Sequence, residues 1–244
     1  MLKDEREYEA ERERKAAQRR KKKQAMRNKY LSIITNFGCH YTCPYCIVKN
    51  NNINVPVTTV GGLNSLKQAI IENDIDIVSI SGGGDPLFEI DKHQDWWREL
   101  NTILRDLDIP LEIHTSYINP WMVTCNFTRI VYHLHSKDQL NKVYKSKRGE
   151  IVRVVFVITE DMTEDDISEI ADFVSHSTEI DELSFRQMVK PSYELSYHLH
   201  DFLKAGHQKN WWYITQCDYN LYYAENHVYT KYSDFMEGEQ NAKC

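Results

Sequence analysis

From residue 30 onward the chain alternates between two hydrophobic patterns. Short runs rich in β-branched residues predict six strands: "YLSIIT" (30–35), "DIVSIS" (76–81), "LEIHTS" (111–116), "RIVYHLH" (129–135), "IVRVVFVIT" (151–159) and "ELSFRQ" (182–187). Between them, segments with apolar residues three and four apart predict helices: "GLNSLKQAIIEN" (62–73), "HQDWWRELNTILRDL" (93–107), "SKDQLNKVYKS" (136–146), "TEDDISEIADFVS" (163–175) and "SYELSYHLHDFLKA" (192–205). Thr163 and Asp166 have the spacing of a capping box, and Gly206 stands where a helix C-cap is expected. The tail "WWYITQCDYNLYYAENHVYTKY" (211–232) predicts two or three aromatic strands with a turn at Glu225-Asn226.

Strands that alternate with helices imply parallel β-structure with right-handed crossovers. The expected fold class is therefore α/β: a partial (βα)6 TIM-like barrel over residues 30–207, followed by a hairpin-like β extension over 208–244. Residues 1–29 differ from both. Six acids lie between Asp4 and Glu13, while Arg14 to Lys29 holds nine bases and no acid. With almost no apolar face, this segment is expected to be a solvated helix or a disordered arm. Its twelve bases against six acids leave about −12 on the rest of the chain, whose total is −6. Any attraction to nucleic-acid phosphate must therefore come from the arm. No apolar run is long enough to span a bilayer and no secretory h-region is present, so a cytoplasmic location without a membrane partner is expected.

In α/β layouts chemistry gathers at the carboxyl ends of strands. Two motifs fall there. "FGCHYTCPYCIVKN" (37–50) follows the first strand and carries Cys39, Cys43 and Cys46; "SGGGDP" (81–86) ends the second. In a reducing compartment, clustered cysteines favour metal ligation over disulfides. Structural zinc wants four ligands, and no second cysteine pair exists. Three thiolates can instead hold three irons of a four-iron cluster and leave the fourth open to a non-protein ligand.

The Cys39-x3-Cys43-x2-Cys46 spacing, with aromatic Tyr45 before the last cysteine, resembles the signature of the radical S-adenosylmethionine superfamily over about residues 30–190. Gly83-Gly84-Asp85-Pro86 is similar to that family's Gly-Gly-Glu-Pro motif, with Asp in place of Glu. The resemblance implies a [4Fe–4S] cluster whose open iron binds S-adenosylmethionine. Reductive cleavage of that cofactor yields a 5′-deoxyadenosyl radical, with electrons from a reduced flavodoxin- or ferredoxin-like donor. It further implies that Tyr45 presents its ring or backbone to the adenine, the alternative being ordinary loop packing, and that Gly83 to Pro86 contact the cofactor's amino group. Thr115, Ser116 and Ser136 are candidates for ribose or carboxylate oxygens, each with the alternative of a turn or helix cap. Arg186 is a candidate clamp for a cofactor or substrate carboxylate, its alternative being an interior salt bridge. The pair His133 and His135 is expected to serve strand packing, and His198 and His200 surface or packing roles. Cys217 and Cys244 are too sparse for an auxiliary cluster. The aromatic tail and basic arm point to a nucleotide or nucleic-acid base as substrate. The alternatives are a peptide- or protein-modifying enzyme, a glycyl-radical activase, or a non-catalytic iron–sulfur or zinc module.

Overall fold

The computed structural model describes residues 29–118, 126–145, 149–215 and 220–235. The arm up to residue 28, and Cys125, Cys217 and Cys244, lie outside the described residues. The strands are β1 (Tyr30–Thr35), β2 (Ile77–Gly82), β3 (Leu111–Thr115), β4 (Arg129–Leu134), β5 (Ile151–Ile158), β6 (Glu182–Gln187), β7 (Trp212–Ile214), β8 (Leu221–Ala224) and β9 (His227–Tyr229). The α-helices are α1 (Ile47–Asn50), α2 (Leu66–Glu72), α3 (Gln94–Asp106), α4 (Glu164–His176) and α5 (His200–Gly206). All nine strands join one sheet in the order β7-β6-β5-β4-β3-β2-β1-β8-β9. Only the β8–β9 pair is antiparallel. The architecture is thus α/β with a mostly parallel sheet, and no helix among the described residues is long and apolar enough to cross a membrane.

The six expected strands are all present, but the helices and tail differ from expectation. Residues Lys137–Lys142 wind as a 3-10 helix, and the stretch from 192 becomes α-helical only at His200. Leu199 sits in the left-handed region at φ 53°, which blocks helix propagation from the residues before it. Gly206 ends α5 from inside, where a Cβ would fall 2.1 Å from the Trp211 ring. The tail divides: β7 extends the sheet beyond β6, whereas β8 and β9 extend it beyond β1. Glu225 and Asn226 form the expected turn, both at positive φ, and dock against the segment before α2. Glu225 accepts from Thr59 (2.7 Å to its hydroxyl), and Asn226 accepts from Ser65 N (2.9 Å).

Period-two alternation sorts the strand residues onto two faces. Leu31, Ile33, Val78, Ile80, Ile113, Ile130, Val154 and Phe185 pack with α2, α3, α4 and α5 in the main core. The opposite face holds most of the sheet's polar side chains, Ser32, Ser79, Glu112, His114, Arg129, His133, Arg153, Glu182, Ser184 and Arg186, with Ile34, Val131, Val155 and Val157 among them. Parallel sheets usually bury apolar residues on both faces, so these polar groups need partners. Arg129 pairs with Glu112 and, at 3.3 Å, with Glu182; Arg153 lies 2.6 Å from Glu182, and the Tyr30 hydroxyl donates to Glu112 at 3.3 Å. Removing one member strands a buried charge. Arg129→Ala is therefore expected to lower the unfolding free energy by about 3–5 kcal/mol. Lys92→Ala, which breaks the exposed pair with Glu89, should cost less than about 1 kcal/mol. Urea unfolding of both variants checks this, and equal small losses would show that the buried row is not coupled.

Candidate active site

The loops after β1, β2 and β3 meet at the carboxyl ends of their strands, and backbone contacts hold them together. Gly38, at φ 113°, leads into Cys39, and its carbonyl accepts from Asp85 N at 2.8 Å. A Cβ on Gly84 would lie 2.0 Å from that carbonyl oxygen, so only glycine permits the approach. Gly83 N donates to Thr35 O at 2.9 Å and completes the seam. Asp85 is 4% exposed. Its carboxylate accepts from Leu87 N (2.9 Å), the Thr115 hydroxyl (2.8 Å) and Ser116 N (2.7 Å). One buried side chain thus fixes the glycine loop and the end of β3 together.

The predicted residues take the following places. Asp85 and Thr115 spend their polar atoms on one another and on backbone, so they position the loops. Pro86 is buried behind Asp85. Ser116 contributes its backbone N–H to Asp85. Ser136 is exposed and caps the 3-10 helix, where Gln139 Oε1 accepts from Ser136 N at 3.3 Å. Its helix-cap alternative therefore describes it. Tyr45 shares a 2.7 Å hydrogen bond with His135 Nδ1, and burial raises its phenol pKa. Arg186 lies on the polar face with no hydrogen bond or ion pair to any described residue, so the interior salt-bridge alternative does not describe it.

The histidines part company. His133 bonds His114 (Nε2 to Nδ1, 3.2 Å), whereas His135, just past β4, reaches Cys43 Sγ at 3.7 Å and the Tyr41 ring at 4.5 Å. The strand-packing expectation thus misses His135, which belongs to the cysteine site. His198 donates to Met162 O (2.6 Å) and His200 shares a bond with the Tyr213 hydroxyl (2.9 Å), both packing roles. Sequence reasoning also passed over Gly38, His114 and Tyr232. Gly38 was open to notice, since it immediately precedes the first cysteine. Tyr232 carried no local signal: it arrives from the tail and donates to Gly82 O at 3.0 Å. Burial, then the neighbouring Tyr193 and Cys46, raise its phenol pKa.

The three thiols are unpaired and partly exposed. Burial, then repulsion from Cys39 and Cys46, pushes the Cys43 thiol up to about 11. Mutually repelling thiolates are what a cationic iron centre neutralises. Among the described residues, no group of three or more His, Cys, Asp or Glu side chains closes to the spacing of a single metal ion. Three clustered thiols are a donor set of the kind that cysteine-ligated iron–sulfur clusters use. In donor chemistry the loop fits such a group.

The fold is α/β with a mostly parallel sheet, and the three clustered cysteines follow the carboxyl end of its strand β1. Solved structures share that fold. Two of SuiB from Streptococcus suis, one bound to S-adenosylmethionine and one to the precursor peptide SuiA, superpose with a TM-score of 0.61 at 16% identity. They match 88% of this chain, which spans about three fifths of SuiB's own length (61% and 62%). No family model matches the sequence, and no curated protein matches it.

Gly84→Ala is expected to push the Gly38 carbonyl away. Hydrogen exchange should show the Asp85 and Gly83 amides losing protection while the amides of α3 keep theirs. Unchanged protection at Asp85 would show that the seam tolerates a Cβ.

Proposed function

We propose that the chain is a radical S-adenosylmethionine enzyme working on the polar face of a sheet curled into a partial barrel. The observation that carries this reading is the seam between the Cys39 loop and the Gly82–Asp85 loop, which joins both motifs at one edge. Curling draws support from contacts across the face. Tyr193, after β6, donates its N–H to Asn51 Oδ1, after α1, at 2.9 Å. In a flat sheet β6 and β1 would stand about 24 Å apart, five spacings of roughly 4.8 Å.

In this reading Cys39, Cys43 and Cys46 hold a [4Fe–4S] cluster as thiolates, and the Cys43 thiol gives up its proton on binding. When bound, the cluster and S-adenosylmethionine would supply the radical chemistry that removes a hydrogen atom from the substrate. Gly83 and Gly84 let a ligand approach the backbone closely, and Asp85, Pro86 and Thr115 hold that backbone rigid. Tyr45 and His135 flank Cys43 and limit water there. The reading carries with it a reduced flavodoxin- or ferredoxin-like donor and a reducing, cytoplasmic setting. It treats residues 30–207 as the working core and 208–244 as an extension.

A peptide substrate is favoured over a nucleotide. The nucleotide reading relies on the tail aromatics, but Tyr222, Tyr229, Tyr232 and Phe235 pack on one another in edge-on and tilted pairs with centroids 4.4–5.5 Å apart, which engages rings a base would need. The peptide reading draws support from SuiB, which has the same fold and was captured with a precursor peptide. The basic half of residues 1–29 remains the nucleic-acid element of the alternative.

The test is anaerobic. The chain, reconstituted with iron and sulfide, is given S-adenosylmethionine and dithionite, alone and with candidate peptides or nucleotides. 5′-Deoxyadenosine is expected from the wild type and none from the variant with Ala at Cys39, Cys43 and Cys46. A reducible cluster that never yields 5′-deoxyadenosine would favour a non-catalytic iron–sulfur module. Failure to assemble a cluster would overturn the reading.

A further inference from the structure

One turn of the chain crosses the polar face in a backbone conformation that its residues do not favour. The loop after β6 folds back on itself: Val189 pairs with Leu195, Lys190 N donates to Glu194 O at 2.7 Å and Ser196 N to Met188 O at 3.0 Å. At its tip Ser192 (φ 63°, ψ 25°) and Tyr193 (φ 60°) stand side by side in the left-handed region. One other adjacent pair among the described residues does so, Glu225 and Asn226, at the turn between β8 and β9. Gly, Asn and Asp are the residues that ordinarily fill such turns, and a serine followed by a tyrosine adopts one at a cost. Ser192 is exposed, and its side chain has no hydrogen-bond partner among the described residues to offset that cost.

The tip is held by the segment that follows Cys46. Tyr193 N donates to Asn51 Oδ1 at 2.9 Å; Asn51 is buried, and its Nδ2 donates to Ile47 O at 3.0 Å, which fixes the acceptor in place. The Tyr193 side chain packs with the small cluster of Ile34, Ala224 and Phe235, which also takes Ile47 and Val48 of α1. Ile34 shares the polar face of β1 with Ser32, so the turn closes over that face and not behind the sheet. Four strands stand between β6 and β1 in the sheet order, and the turn bridges the carboxyl ends of the two. Its flanks are anchored elsewhere. Glu160, after β5, accepts from the Ser196 hydroxyl (2.8 Å) and pairs with Lys190 Nζ (2.6 Å), and Gln187 Nε2 donates to Ser196 O at 2.9 Å. Release of the tip from Asn51 therefore leaves the base of the loop in place, and the left-handed pair favours release.

We infer that residues 190–194 are a latch over the polar face, which releases Asn51 to admit the substrate and closes again on the segment after Cys46. Opening costs the Asn51 hydrogen bond and the packing of one tyrosine. A lid has to open at a cost well below that of unfolding, and strain stored at Ser192 and Tyr193 lowers that cost by raising the energy of the closed form. Closure sets the Tyr193 ring against the cluster beside the cysteine loop and keeps water from that end of the face. That the guest is substrate rests on the radical-enzyme reading. Local opening does not, and is measured on the metal-free chain.

The measurement is amide hydrogen exchange of the 15N-labelled, metal-free, full-length protein, read as protection factors at Tyr193, at Ser196 in the base of the loop and at the paired amides of β6. Protection at Tyr193 is expected to fall about tenfold or more below that at Ser196 and β6, because the tip opens by itself. Ser192→Gly relieves the left-handed strain without removing a contact and should raise Tyr193 protection by about threefold or more. Asn51→Ala should lower it by about fivefold, the worth of one hydrogen bond, with Ser196 unchanged. Ser192→Gly, on the exposed tip, carries the test if Asn51→Ala fails to fold. Tyr193 protection equal to that of Ser196, or unmoved by Ser192→Gly, would overturn the latch. The guest is decided on the reconstituted protein by comparing wild type with Ser192→Gly. Equal rates of S-adenosylmethionine association, with slower 5′-deoxyadenosine formation on adding the peptide or nucleotide that supports it, would assign the latch to substrate. Slower cofactor association in Ser192→Gly, or equal rates at both steps, would overturn that assignment. A chain that opens locally but binds no S-adenosylmethionine would overturn the radical-enzyme reading and leave the latch standing.

Discussion

The candidate site depends on one contact, the approach of the Gly38 carbonyl to the backbone of Gly84 and Asp85. No side chain can stand between them, because a Cβ on Gly84 would lie 2.0 Å from that oxygen. The approach sets the distance between the cysteine loop and the end of β2, and Asp85 N–H at 2.8 Å holds it there. Asp85 then passes the constraint to β3 through Thr115 and Ser116. Three loops, each free to wander alone, are ordered by one glycine pair and one buried carboxylate. A buried carboxylate with three donors is stable only while all three stay in place, so the loops are ordered together.

A second constraint acts below. A parallel sheet with one polar face has to pair its charges or leave them to a ligand or solvent. The chain does both, and in different places. Toward the amino ends of the strands, Glu112, Arg129, Glu182 and Arg153 form a closed row with Tyr30 against it. Toward the carboxyl ends, Arg186, His114 and His133 have no acid partner among the described residues. The gradient from satisfied to unsatisfied charge runs toward the cysteine loop, so structural pairing sits at one end of the face and available chemistry at the other.

Much of this was legible in the sequence where the signal is local. The Thr163 to Asp166 capping box closes as its spacing implies, with Thr163 N donating to Asp166 at 2.9 Å. The Glu225-Asn226 turn and the six parallel strands were likewise written in short patterns. The cysteine loop and the triple glycine meet at one edge of the sheet, as their places after β1 and β2 imply. What escaped was non-local. The HxH pattern at His133 and His135 looked like one unit, yet the chain leaves β4 between them, so one ring meets His114 and the other Cys43. Period-two reasoning holds only while the strand lasts. The helix expected from residue 192 failed on backbone conformation at Leu199, which apolar spacing does not reveal.

The tail shows most clearly why a local reading falls short. Its aromatic strands were legible as strands, since β propensity is local, but their destinations depend on which edges lie open. β7 takes the edge left by β6 and β8 the edge left by β1, so one short segment covers both. Covering the β1 edge also brings Tyr232 to Gly82 O, within the loop that Gly38 and Asp85 define. The same strand pairing that protects an edge therefore adds a wall to the site. The extension is thus joined in space to the seam on which the site depends.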